Sequence, residues 1–390
     1  MRPSFRILII TSSRQTSKKV TQLLPRVLET LAVAVVGGYL FSLANLPVPW
    51  MLGPIAGVMI WQSVTKRKMH MYALPHKASL TILGYMIGAS FTLEIGKEIV
   101  KQLPAMFTAT AILVTCSFFI GLFIAKKSGI SLDSAVLGTV PGGLAQMVAM
   151  AEERKEADLA TVTMMQAIRV LSIFFTVPFV AFYVFTRVEG DIVLPGSEKA
   201  WSWESAVLFL GVVLGSFWVA KRLKFPTPYY LGPVLGVILA VLAGLEPPKL
   251  DRFWIDLAQV IMGARLGASM NIAGNRTLRR LLPLSIAGSL LTVLLCIPLT
   301  FLIEAWYNLP LNSAYLSMAP GGMSEMAVIA LFIGADVAVV SAYQLFRLLF
   351  ILILVPPVIT WILNRLAGRR GADHTASAAK MGERAASGSE

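Results

Sequence analysis

Proline, two glycines and then an amide or a carboxyl recur twice in an otherwise apolar chain. Residues 139–147 read T-V-P-G-G-L-A-Q-M, and residues 318–326 read M-A-P-G-G-M-S-E-M. Pro lacks a backbone donor and Gly is a poor helix former, so Pro141-Gly142-Gly143 and Pro320-Gly321-Gly322 cannot continue a regular helix. A helix that restarts after such a break points unpaired N–H groups and a positive dipole end at the gap. That is a ready site for a carboxylate or another small anion. Three residues past the last glycine stand Gln146 in one copy and Glu325, preceded by Ser324, in the other. Arg169 and Arg347 lie well inside two later apolar segments, and Gln166 and Gln344 precede them by three residues. That spacing puts each Gln–Arg pair on one helix face. The chemistry on offer is a polar chamber, with two guanidiniums and two helix ends for a small anionic solute. Glu325 would titrate and couple an ion to it, since a carboxyl at bilayer depth is costly and marks function by default. The same residues also admit a structural role, in which the arginines cap carbonyls of broken helices or neutralise Glu325. Neither role needs a cofactor, a metal or a catalytic group, and none is expected.

The elements that must hold such a chamber are membrane helices. Of 390 residues, 56% are hydrophobic and only 14% charged, more apolar surface than a soluble domain can hide. The formal net charge of +13 falls in short clusters between apolar runs, as in cytoplasmic loops, and no stretch between them is long enough for a DNA-reading helix-turn-helix unit. Direct nucleic-acid binding is therefore not expected. Cys116 and Cys296 lie mid-span and read as packed apolar side chains without disulfide or metal. The histidines, His70, His76 and His374, make no cluster suited to copper or iron.

The chain reads as a duplication. L-P-V-P-W-M-L-G-P-I-A-G-V at 46–58 matches F-P-T-P-Y-Y-L-G-P-V-L-G-V at 225–237, with an offset of 179 residues. G-Y-M-I-G-A-S at 84–90, G-A-R-L-G-A-S at 263–269 and the two Pro-Gly-Gly segments keep that offset. Ala157-Asp158, Gln166, Arg169 and Pro178 match Ala335-Asp336, Gln344, Arg347 and Pro356 one residue shorter. Apolar segments are predicted at 27–45, 50–64, 78–93, 103–125, 131–151 and 157–186, then at 204–220, 229–244, 253–270, 281–303, 311–333 and 336–364. The organisation expected is a basic arm (1–26), membrane repeat 1 (27–186), a linker (187–203), membrane repeat 2 (204–364) and a disordered tail (365–390).

Loop charges orient the halves. Placing the basic clusters in the cytoplasm leaves Lys126-Lys127 inside and the Lys/Arg-poor linker outside. An odd number of crossings must join them, so one of the two intervening segments enters and leaves on one side. The Pro-Gly-Gly segment is the natural choice, since irregular backbone at membrane depth must be lined by protein or water. The predicted fold is all-α and polytopic. It has two inverted-topology repeats, each of about five spans plus one re-entrant or broken helix, with both termini cytoplasmic. Lesser expectations are N-terminal caps at Asp158 and Asp336 and interface anchors at Trp50 and Tyr229-Tyr230. Arg265 is expected to snorkel to a membrane surface, and Gly88-Ala89-Ser90 and Gly267-Ala268-Ser269 to allow close helix contact.

On the L-G-P-x-x-G segments at 52–57 and 231–236 and the two P-G-G segments, the chain resembles the AbrB family of bacterial inner-membrane proteins, over roughly residues 30–365. The resemblance implies a duplicated membrane domain in the inner membrane. Members carry two other labels, regulator of gene expression and candidate ammonia monooxygenase. The residues point instead to an ion-coupled secondary transporter of a small, anionic solute, not an enzyme. Its partners would be the bilayer and that solute or ion, with a homo-oligomer left open. The alternatives are a membrane sensor that acts on gene expression indirectly and, less favoured, a membrane monooxygenase.

Overall fold

The computed structural model describes residues 25–142, 144–186, 203–225, 227–270 and 276–387; side chains are described except at 144–145, 276–280 and 366–387. The described residues are mostly helical, and no β-sheet is present among them. The first run of helices is α1 (Pro25–Leu43), α2 (Pro49–Thr65), α3 (Ala73–Ala89), α4 (Leu93–Ser128), α5 (Leu132–Thr139), α6 (Leu144–Glu152) and α7 (Leu159–Val180), the last continued by a wide turn over Ala181–Phe185. The second is α8 (Trp203–Arg222), α9 (Pro228–Leu242), α10 (Arg252–Ser269), α11 (Arg276–Tyr307), α12 (Leu311–Met318), α13 (Met323–Phe332) and α14 (Val337–Ser387). Among the described residues, six helices are long and apolar enough to cross a bilayer: α1, α4, α7 with its wide turn, α8, α11 and α14. Their outward sides carry exposed Leu, Val, Phe and Trp, such as Leu40, Phe119, Leu210 and Trp361, as lipid-facing helices require.

Local chemistry sets the boundaries. Asp158 caps α7 by accepting from the Thr161 N–H at 3.0 Å, and Asp336 caps α14 by accepting from Ala338 and Val339 at 2.9 and 3.0 Å. Thr92 caps α4, accepting from Ile95, so that helix starts ten residues before the apolar segment expected at 103. Its first turns carry Glu94, Lys97, Glu98 and Lys101, which hydropathy passes over but a helix tolerates. Pro49 and Pro228 open α2 and α9, each after a residue in the left-handed region, Val48 at φ 48° and Thr227 at φ 49°. A β-branched residue there is a true outlier, and the same one occurs twice.

Several expectations are corrected. α14 does not end near 364 but runs to Ser387, because Ala, Lys, Arg and Glu in that stretch favour helix. Tyr230 is no interface anchor: it is 4% exposed and part of the main core. Tyr229 stacks on Phe217 with ring centres 4.7 Å apart and lies under Lys77. Trp50 packs against Gly38 of α1. Arg265 does not snorkel; it donates to the Met71 carbonyl at 3.0 Å, tying α10 to the loop after α2. Cys296 is buried, Cys116 is half-buried, and both are free thiols.

Small residues seat the crossings as expected. A Cβ on Gly88 would lie 2.9 Å from the Val234 carbonyl oxygen, and one on Gly267 would lie 2.9 Å from that of Ile55; one turn earlier, Gly84 and Gly263 come as close, at 2.7 Å from the Tyr230 oxygen and 2.6 Å from that of Met51. Thus α3 crosses α9, and α10 crosses α2, at backbone contact.

Candidate functional site

Each Pro-Gly-Gly segment is a break between two short helices. Val140 and Ala319, the residues before the prolines, are extended, with ψ near 129° and 131°, because the proline ring bars the helical region to its predecessor. The chain turns back, and both limbs of each hairpin open at one end. At the first, Asp133 at the start of α5 pairs with Arg154 just past α6, and Ser134 Oγ accepts from the Asp158 N–H at 2.7 Å. At the second, Ser313 Oγ accepts from the Asp336 N–H at 2.9 Å.

The end of α5 leaves carbonyls that no later N–H of its own helix can reach. The Gln–Arg pair of α7 takes them. Gln166 Nε2 donates to the Leu137 and Val140 oxygens at 2.6 and 3.2 Å. Arg169 Nη1 donates to Val140 at 2.6 Å and Thr139 at 3.4 Å, and Nη2 to Gly142 at 3.3 Å. The pair on α14 does the same for α12. Gln344 Nε2 reaches Leu316 and Ala319 at 2.8 and 3.2 Å. Arg347 Nη1 reaches Ala319 at 2.7 Å and Met318 at 3.3 Å, and Nη2 reaches Gly321 at 3.0 Å. Arg347 also accepts support from Gln344, donating to its Oε1. A guanidinium against a helix C-terminus answers both the unpaired carbonyls and the negative dipole end. The capping role is therefore real, and it explains why the Gln and Arg stand three residues apart.

Capping does not exhaust the arginines. A guanidinium has five N–H donors, and Nε of each, with one further Nη2 hydrogen on Arg169, has no partner among the described residues. Both side chains are buried, at 8% and 6% exposure, yet neither forms an ion pair among the described residues. Both line one cavity of about 270 Å³. Pro141 and Gly142 of the first break and Pro320, Gly321 and Gly322 of the second line it too, with Gln344 and Glu325. The rest of the wall is apolar, with Val170 and Phe174 from α7 and Leu348 and Ile351 from α14 among it.

Glu325 is the third residue of α13, whose N-cap is Gly322. Its carboxyl folds back over that glycine, where any Cβ would strike it; this is the place a capping-box carboxylate takes. The half-buried Glu325 lines the cavity and pairs with neither arginine among the described residues. Three other residues of the expected set lie off the wall. Gln166 is fully buried behind it as a cap, and Ser324 is buried beside Glu325. Gln146 turns away and donates to the Leu352 carbonyl of α14 at 3.2 Å. That carbonyl is free because its partner four residues on would be Pro356, which has no N–H. Gly143 lies outside the described residues.

Long apolar helices around a polar cavity, with two broken hairpins reaching it, define a multi-pass helical membrane protein. The family profile described as "Transition state regulatory protein AbrB" matches residues 50–363, and the chain belongs to that family. It is 24% identical over 367 residues to a Bacillus subtilis (strain 168) protein named "Uncharacterized protein YhjN", covering 87% of this chain and 94% of that one. It is 27% identical over 343 residues to the Escherichia coli (strain K12) protein named "Putative regulator AbrB", covering 85% and 94%.

Proposed function

We propose that this protein is an ion-coupled secondary transporter of a small anionic solute, built as two inverted repeats in the bacterial inner membrane. The observation that carries the reading is the cavity itself. Two guanidiniums without acidic partners among the described residues and two helix breaks converge on it, with the carboxyl of Glu325 on the same wall. Two like charges around one low-dielectric space repel unless an anion joins them. Limbs of 8 and 9 residues in one hairpin, and 8 and 10 in the other, each reach about half of a ~30 Å hydrocarbon layer. The breaks then fall near the midplane, where transporters of this architecture bind.

Inverted repeats are supported by the matched helix order, by the matched left-handed residues Val48 and Thr227, and by the two sets of Gln–Arg caps. The first hairpin opens beside Lys126-Lys127, and the second beside a loop without Lys or Arg, residues 304–312. By the positive-inside rule the hairpins enter from opposite faces. This puts both termini in the cytoplasm.

Purified protein in proteoliposomes, offered a panel of radiolabelled small carboxylates under an imposed pH gradient, tests the reading. Gradient-dependent uptake that Arg169→Ala and Arg347→Ala abolish is expected. Binding without flux would favour a membrane sensor instead, the reading that the regulatory names of the family and of the E. coli relative support.

A further inference from the structure

Arg169 also lines a second void of about 10 Å³, roughly the room one water needs. It is bounded by α5, α7, the end of α4 and one face of α11. That face is hydroxylic. Ser285, Ser289 and Thr292 stand at helical spacing, 5%, 4% and 3% exposed, and Thr139 of α5 joins them. Ser289 donates to the Ser285 carbonyl at 2.8 Å, and Thr292 to that of Gly288 at 2.9 Å, so each keeps its oxygen lone pairs. Ser285 Oγ is buried with no hydrogen-bond partner among the described residues. An orphaned hydroxyl beside a guanidinium and three acceptor oxygens is a site that water or an anion oxygen fills at little cost.

Two features give this void a direction. It touches Ile124, two residues before Lys126-Lys127, and Ser285, five residues after Arg280, so it lies on the side of the basic C-terminal end of α4 and the basic N-terminal end of α11. It also has no like counterpart across the repeat. The positions of α4 that correspond to 285, 288, 289 and 292 hold Met106, Ala109, Thr110 and Leu113, all buried. Hydroxyls stand on one side where two large apolar side chains stand on the other.

We infer that the hydroxyl-lined void is the cytoplasmic leg of the solute path, with Arg169 dividing it from the main cavity. At rest it holds water; when Arg169 swings between the two spaces, the same hydroxyls and guanidinium pass an anion. The opposite leg is closed by Met106 and Leu113. This inference rests on the transporter reading, and its test separates the two.

In a Cys116→Ala, Cys296→Ser background, Ser289→Cys and Thr110→Cys are compared in inside-out vesicles. The probe is the anionic, impermeant thiol reagent methanethiosulfonate ethylsulfonate. Only a hydrated thiol forms the reactive thiolate readily, so Ser289→Cys should react about tenfold faster or more than Thr110→Cys. Ser285→Cys repeats the measurement one turn away if the first variant fails to insert. Leu348→Cys, on the main cavity wall, is labelled in parallel. Adding Ser285→Met and Thr292→Leu, the residues of the closed leg, should slow that labelling to a similar degree. Labelling of Leu348→Cys with Ser289→Cys and Ser285→Cys silent would overturn the leg and leave the transporter reading intact. Rapid labelling of Ser289→Cys in a protein that moves no solute would keep the hydrated void but remove the path.

Discussion

At the scale of residues, the two breaks are alike in backbone and unlike in one side chain. Gln146 donates to the Leu352 carbonyl that Pro356 frees. Pro178 frees the Phe174 carbonyl in the same way, and the residue that corresponds to Gln146 is Glu325, on the same cavity wall as Phe174. A carboxylate has no proton to donate there; a carboxylic acid has. Glu325→Gln supplies the donor permanently. The variant should still exchange labelled carboxylate across proteoliposome membranes but lose accumulation driven by a pH gradient. Its melting temperature should hold, because no ion pair to Glu325 is broken. Unchanged gradient-driven uptake would take Glu325 out of the mechanism. The capping amides make a separate prediction. Gln344→Ala strands the Leu316 carbonyl and should cost about 1–3 kcal/mol in detergent unfolding. Arg347→Lys should restore the fold better than Arg347→Ala but transport poorly, since a point charge does not replace a planar fork of donors.

At the scale of elements, the hairpin is the unit that carries the site. Its tip is shaped by Pro and Gly, and its mouth is held by Asp133–Arg154 on one side and by Ser313 on the other. If it enters and leaves on one face, each half crosses the membrane an odd number of times and the halves are opposed. Single cysteines at Pro195 and Arg222 of a Cys-free version, labelled from outside intact cells, report this. Position 195 should react and position 222 should not; the reverse pattern would end the inverted reading.

At the scale of the whole molecule, the two halves lock through crossed helix pairs, α3 on α9 and α10 on α2. Gly84 and Gly263 sit at close approaches, each against a carbonyl of the other half. Gly84→Leu and Gly263→Leu should each destabilise by about 1–3 kcal/mol, as overpacking does, and by similar amounts, measured as loss of monodisperse protein on heating. A large cost at only one of them would mean that the two crossings bear unequal load.

Much of this molecule was legible without coordinates. Hydropathy set the long helices, because twenty or so apolar residues have no stable home outside a bilayer. Self-similarity located the breaks, since Pro and Gly act on the backbone locally. The capping residues Asp158 and Asp336 were readable for the same reason. What a side chain reaches across the fold was not. Gln166 and Gln146 looked like members of one polar set, but each serves a stranded carbonyl, one in α5 and one in α14. Tyr230 looked like an anchor and is core. Ser289 and Thr292 of α11 gave no signal at all, because a hydroxyl that bonds its own helix passes for an apolar residue until a neighbouring helix withholds its packing. Spacing along the chain determines which residues share a face. Only the packing of one helix on another decides what that face meets, because burial and hydrogen-bond supply there come from residues far away in sequence.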